Sequence, residues 1–140
     1  MVHYLINKAR SMIYTTALPP NVIRNVYFNW KRAISEPWRR KDCQDKSTWF
    51  REKLRYHGFN IGASESQIIP LLVGSNETAV QFSQALQEKD ILAVAIRPPT
   101  VPQGTARIRF TVMALHDWED LHRAMDEIVA IGRRLGVIVS

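Results

Sequence analysis

A chain of 140 residues with a net charge of +6, 46% hydrophobic and 23% charged, has the composition of a soluble globular domain. No run of eighteen apolar residues occurs, which excludes a transmembrane helix, and Cys43 is the only cysteine, which excludes an internal disulfide and fits a reducing cytoplasm. The first residues, Met1-Val2-His3-Tyr4-Leu5-Ile6-Asn7-Lys8, lack the basic-then-apolar order of a secretory signal.

In chain order, residues 1–20 read as a short apolar-cationic helix or strand end that Pro19-Pro20 stops. A helix is predicted from Asn21, with Asn21 as N-cap and Val22, Val26, Asn29 or Trp30, and Ala33 on one face. Pro37 breaks it and suits the first turn of a second helix over about 37–57, whose less polar positions are Trp38, Trp49, Phe50, Leu54 and His57, with Gly58 as C-cap. Ile68 to Val73 reads as a strand, and Pro70 argues for an edge position. Asn76 is the predicted cap of a helix to about Glu88, with Ala79, Phe82, Ser83 and Leu86 inward. Ile91–Ile96 and Ala106–Met113 are the second and third strands. Asp117 caps a last helix carrying Leu121, Ala124, Met125, Ile128, Ile131 and Leu135 at helical spacing. The order predicts an α+β fold, a small and mainly antiparallel sheet backed on one face by helices. Residues 1–35 stand outside that fold and ask for a partner to cover Ile13, Leu18, Val22, Val26, Tyr27, Phe28 and Trp30.

The most informative segment is Ile96 to Thr111. Pro98, Pro99 and Pro102 stiffen a loop, Gly104 permits a bend, and a strand follows with Arg107 and Arg109 two residues apart and so on one face. A stiff loop feeding a cationic strand suits an anionic ligand. The basic run Trp38-Arg39-Arg40-Lys41 is followed by Asp42 and Asp45 and comes with no nucleic-acid-binding signature, so the charge is read as a solvated helix face or a site for a phosphorylated small ligand, and neither a nucleic-acid nor a membrane partner is expected. His3, His57, His116 and His122 fall at no metal-ligand spacing, and Gly74-Ser75-Asn76 reads as a capping turn rather than a phosphate loop. Spacing alone identifies no catalytic residue.

Tyr4 to Pro20, Glu36-Pro37-Trp38-Arg39-Arg40, Glu65 to Pro70 and Ala95 to Thr111 are similar, in the same order, to 8-amino-7-oxononanoate synthase, most specifically through the Arg97–Arg107 run. That family belongs to the α-oxoamine synthase group of pyridoxal-phosphate enzymes, with 5-aminolevulinate synthase and 2-amino-3-ketobutyrate CoA ligase. The resemblance implies a homodimeric, cytoplasmic acyltransferase of biotin biosynthesis, which condenses L-alanine with pimeloyl-CoA or a pimeloyl carrier protein and loses carbon dioxide. It covers about the C-terminal third of the family pattern and implies that residues 1–35 end the large domain and its connecting helix, and that residues 36–140 form the C-terminal small domain. The family's Schiff-base lysine, its aspartate under the pyridine nitrogen and its stacked histidine lie in segments that the matched part does not include. Lys8 and Lys31 lack the Ser/Thr-x-x-Lys context, so the expectation is a fragment, inactive alone.

Carried over residue by residue, Thr15, with Thr16 beside it, matches the hydroxyl that reaches the cofactor phosphate of the neighbouring subunit. Arg109 matches the arginine that pairs with the substrate carboxylate, and Thr100 a position near the pocket mouth. Read without the resemblance, the threonine pair satisfies local backbone groups, and Arg107 is as well explained by a surface salt bridge. The helix around Tyr27-Phe28-Asn29-Trp30-Lys31 departs from the family's small-residue pattern. The alternative to an enzyme part is a non-catalytic, anion-binding remnant or interaction module.

Overall fold

The structure, a computed structural model, describes residues 1–139, the side chain of Met12 excepted. It divides into two compact units, Met1–Pro37 and Trp38–Ser140.

The first unit is helical. Helices α1 (Val2–Lys8) and α2 (Arg10–Ile13) are separated at Ala9, and α3 runs Pro20–Ser35. The predicted cap at Asn21 is not the one used. Pro19 is the N-cap and Pro20 the first helical residue, where a missing N–H costs nothing because the first turn has no acceptor for it. Neither α1 nor α3 buries a single residue, and Val26, Phe28, Trp30 and Ile34 of α3 are all more than half exposed. Tyr27 contacts Phe28 and Trp30, while Arg24 lies over Phe28 and Lys31 over Tyr27. These exposed contacts order the helix surface without removing it from water.

The second unit holds the core. Helix α4 (Trp38–Tyr56) ends where the sequence places a stop. Gly58 has φ +87, and the amides of Gly58 and Phe59 donate to the carbonyls of Arg55 and Leu54. This pair of bonds is a Schellman motif, and only glycine takes its left-handed position without a Cβ penalty. The buried stripe of α4 differs from the expected one. Lys46, Ser47, Phe50, Arg51 and Leu54 are buried, whereas Trp38 is exposed and Trp49 and His57 are half-buried. The buried cations are tolerated because each reaches a backbone carbonyl. Lys46 Nζ donates to Ala114 O at 2.6 Å, and Arg51 Nη1 to Ser66 O at 2.6 Å.

Strands β1 (Ile68–Gly74), β2 (Val94–Ile96) and β3 (Ala106–Thr111) form an antiparallel three-stranded sheet in the order β1-β3-β2. Pro70 lies on the edge strand, as its missing donor requires. β2 is shorter than predicted because neighbouring backbone groups are already committed to helix α5 (Asn76–Gln87). The Ile91 amide donates to Leu86 O, and Ser83 Oγ donates to Ala93 O. One sheet face, with Ile69, Leu71, Ala106, Ile108 and Phe110, is buried beneath the helices. Helix α5 packs on all three strands and on α6 (Trp118–Arg134), which also meets α4. Leu121, Met125, Ile128 and Ile131 of α6 enter this core as their spacing predicts, joined by Val129 and Gly132.

The cap of α5 is Ser75 and not Asn76. Its Oγ accepts from the Thr78 amide at 3.0 Å, and its backbone is extended as an N-cap must be. In the first turn the Glu77 carboxyl is held below the ordinary carboxylate range, first by a backbone hydrogen bond to its own amide and then by the Ser75 side chain. A lowered pKa adds stability above the unfolded value that disappears as pH falls through the folded one. Ser75→Ala is expected to cost about 1 kcal/mol, read from the urea midpoint, whereas Asn76→Ala should be near neutral. The reverse order would return the cap to Asn76.

Candidate functional site

The sheet face away from the core carries the site. Alternation in β3 buries Ala106, Ile108 and Phe110 and turns Arg107, Arg109 and Thr111 to the other side. The register places Arg109 between Pro70 of β1 and Val94 of β2, and Arg107 between Leu72 and Ile96. No carboxylate stands opposite either arginine, so neither is neutralised across the sheet.

An open groove of about 680 Å³ lies over this face. Its floor includes Ile68, Pro70, Ile96, Arg107 and Arg109, one wall is Ala63 to Ser66, and Thr100 of the proline loop stands at another side. The structure therefore brings Arg109 and Thr100 to one cavity. Thr15 and Thr16 belong to the first unit, where they are exposed in the irregular segment before Pro20. Thr15 Oγ1 makes only a long 3.5 Å contact to Thr16 O.

The two arginines are not equivalent. Arg107 is half-buried, and its Nε and Nη2 donate to Thr105 O at 3.1 Å and Thr105 Oγ1 at 3.2 Å. The same Thr105 hydroxyl donates to Pro102 O at 2.7 Å, so Arg107 braces the proline loop. Arg109 is exposed and has no hydrogen bond or ion pair among the described residues. A guanidinium with its planar fork unspent, set among apolar neighbours in a groove, is suited to bidentate binding of a carboxylate.

Two groups of residues were not singled out as site residues in the sequence. Ser64, Glu65 and Ser66 form the groove wall, and Arg51 and Arg55 of α4 hold that wall by donating to Ser66 O at 2.6 Å and Ser64 O at 3.4 Å. The serines before β1 were a signal for a hydrogen-bonded loop. Nothing local signalled that an arginine fifteen residues earlier would anchor it.

The class I and II aminotransferase family model matches residues 1–128. The chain belongs to that family. Pyridoxal phosphate is the cofactor of its members. Within the family the chain is similar to proteins provisionally named 8-amino-7-oxononanoate synthase. One from Geobacillus kaustophilus is 50% identical over 138 residues, covering 99% of this chain and 35% of the relative. Another from Acetivibrio thermocellus is 44% identical, covering 99% and 36%. The chain thus spans about a third of the length of the curated relatives it matches. Among solved structures, a serine palmitoyltransferase from S. paucimobilis with a bound pyridoxal phosphate–myriocin aldimine superposes with a TM-score of 0.86 at 25% identity, covering 97% of this chain and 35% of that one. The 8-amino-7-oxononanoate synthase from Francisella tularensis gives a TM-score of 0.77 at 25% identity, covering 95% and 39%. The small antiparallel sheet with its helices is therefore an architecture of this aminotransferase family.

In the second unit, the Arg109 guanidinium in the groove has the chemistry to bind the carboxylate of an amino acid. In the first unit, the exposed Thr15 and Thr16 hydroxyls have the chemistry to hydrogen-bond a phosphate. Among the described residues no lysine lines the groove, so none there matches the covalent attachment of the cofactor's carbonyl carbon. No helix is long and apolar enough to cross a membrane among the described residues, and no three His, Cys, Asp or Glu residues among them group as a metal site.

Proposed function

We propose that this chain is the small-domain part of an acyltransferase like 8-amino-7-oxononanoate synthase, in which Arg109 holds the carboxylate of L-alanine. The observation that carries this reading is the unspent Arg109 guanidinium in an open groove, within a chain 50% identical over 138 residues to a relative of that name. In the reaction, the Cα–carboxylate bond of alanine breaks with loss of carbon dioxide. A new bond forms from that carbon to the acyl carbon of a pimeloyl thioester, and the thiol of CoA or a carrier protein leaves. Pyridoxal phosphate, when bound, supplies the electron sink for such chemistry. This chain's residues act at the periphery of it. Arg109 orients the amino acid by its carboxylate, Arg107 keeps the proline loop in place through Thr105, and Thr100 borders the mouth. Thr15, with Thr16 beside it, contributes a hydroxyl to the cofactor phosphate of the neighbouring subunit.

In this reading residues 1–35 are the end of the large domain and its connecting helix, and residues 36–140 are the small domain. The exposed Val26, Phe28, Trp30 and Ile34 are covered by the rest of a homodimeric enzyme. The single cysteine suits a cytoplasmic setting.

The test is reconstitution. The purified chain, mixed with a complementary piece that bears the lysine segment, should release CoA from pimeloyl-CoA only when alanine is present, and neither part should do so alone. No release with both parts folded would sink the proposal. The absence of a lysine from the groove favours one second reading, a non-catalytic anion-binding remnant. It predicts that no internal-aldimine absorbance appears whatever piece is supplied.

A further inference from the structure

The groove holds one carboxylate among its lining residues. Glu65 shares the cavity with Arg107 and Arg109, is exposed, and makes no ion pair among the described residues. Its position is built from both sides. On one side Arg51, buried in α4 and itself braced by Thr48 Oγ1 at 2.9 Å, donates to Ser66 O. On the other, Arg55 donates to Ser64 O, and Ser64 Oγ donates to Ile68 O at 3.0 Å. The Ile68 amide closes the loop on Ser66 Oγ at 3.1 Å. An exposed acid on a free loop would sample a wide volume. Here the backbone on either side of Glu65 is tied to α4 and β1, so its charge stays at the groove.

Two arginines two residues apart on one strand face have their Cα atoms about 7 Å apart along the strand. That spacing, and a double positive charge, would suit a dicarboxylate better than a monocarboxylate. Thr105 takes two of the Arg107 donors, yet its charge remains. We propose that Glu65 is a specificity-determining residue, which excludes a second carboxylate from the groove and restricts the site to amino acids with a single carboxylate. The inference rests on the reading that Arg109 takes the substrate carboxylate. A first carboxylate gains more from the Arg109 fork than it loses to Glu65. A second has no unspent fork to gain from and meets the Glu65 charge. In a partly solvated groove, such a repulsion over about 6–8 Å changes affinity by about three- to tenfold.

The test uses the full chain on a soluble fusion partner, labelled with ¹⁵N at arginine, at low ionic strength and neutral pH. Propionate and succinate are the probes, since neither carries an amine that Glu65 would attract. Titrations follow the Arg107 and Arg109 Nε signals in the parent chain and in Glu65→Gln, and the Arg107 Nε signal in Arg109→Gln. The expected result is that Glu65→Gln raises the preference for succinate over propionate by about three- to tenfold. An unchanged preference, with both anions still shifting Arg109 and weakened by Arg109→Gln, overturns the role of Glu65 and leaves the carboxylate reading standing. Anions that leave Arg109 unshifted, or bind equally well to Arg109→Gln, overturn that reading and the Glu65 inference with it.

Discussion

Arg109→Gln is expected to lower kcat/KM for alanine in the reconstituted enzyme by about 10²–10⁴-fold. The fork gives two charge-assisted hydrogen bonds to one carboxylate, each contributing about 1.5–3 kcal/mol, and each 1.36 kcal/mol is tenfold in rate. Glutamine keeps length and polarity but neither the charge nor the paired donors. Arg109→Lys keeps the charge and loses the fork, so it should fall in between. Arg107→Gln should cost less than about tenfold, because two of its donors serve Thr105 instead of the groove. Steady-state kinetics over a range of alanine concentrations distinguishes these cases. An Arg109→Gln enzyme within about threefold of the parent would remove Arg109 from the site. The exposed position of Arg109 means that the substitution should leave the circular dichroism spectrum and melting unchanged.

Gly132→Val is expected to destabilise the second unit by about 3 kcal/mol or more, and Gly132→Ala by about 1–2 kcal/mol. A Cβ at 132 would lie 2.4 Å from Phe59 Cζ and 2.6 Å from Cε1, far inside contact distance, and 3.4 Å from Ile138 Cγ1. The ring has little freedom to retreat. Phe59 is 4% exposed, its amide is bonded to Leu54 O at the end of α4, and the next residue accepts from the Leu72 amide. In a solvated helix the alanine would gain about 1 kcal/mol over glycine. At 132 packing outweighs that gain, and the sign of the effect reports which term wins. Urea unfolding followed by far-UV circular dichroism measures it, and an alanine variant more stable than the parent would show that the Phe59 ring relaxes freely.

Elements whose information lies within a few residues were legible in the sequence. The apolar spacing of α6, the alternation that sets Arg107 and Arg109 opposite Ile108 and Phe110, the glycine stop at Gly58 and the edge proline at position 70 all follow from local periodicity or backbone stereochemistry. Where two neighbours compete for one role, local reasoning chose the wrong one. Asn76 and Ser75 both cap well by type, and Asn21 outranks proline as a cap, yet the observed turns assign the roles to Ser75 and Pro19. Such choices depend on the angle at which the chain enters the helix.

The rest was decided by tertiary structure, because the partners are distant in the chain. Lys46 is buried by a carbonyl 68 residues away and Arg51 by one 15 residues away, so a helix that reads as polar nevertheless turns two cations inward. Gly132 lies within α6, where a glycine ordinarily lowers helix stability, and only the Phe59 ring shows it to be a close approach. The sequence by itself determined that two arginines share one face of one strand. Only the folded chain decided that Thr105 occupies the first and that the second is left with its fork unspent in a groove that Glu65 also lines. Side-chain direction along a strand is set by the backbone's own period. A guanidinium's partners are set by what the rest of the fold brings within hydrogen-bonding distance.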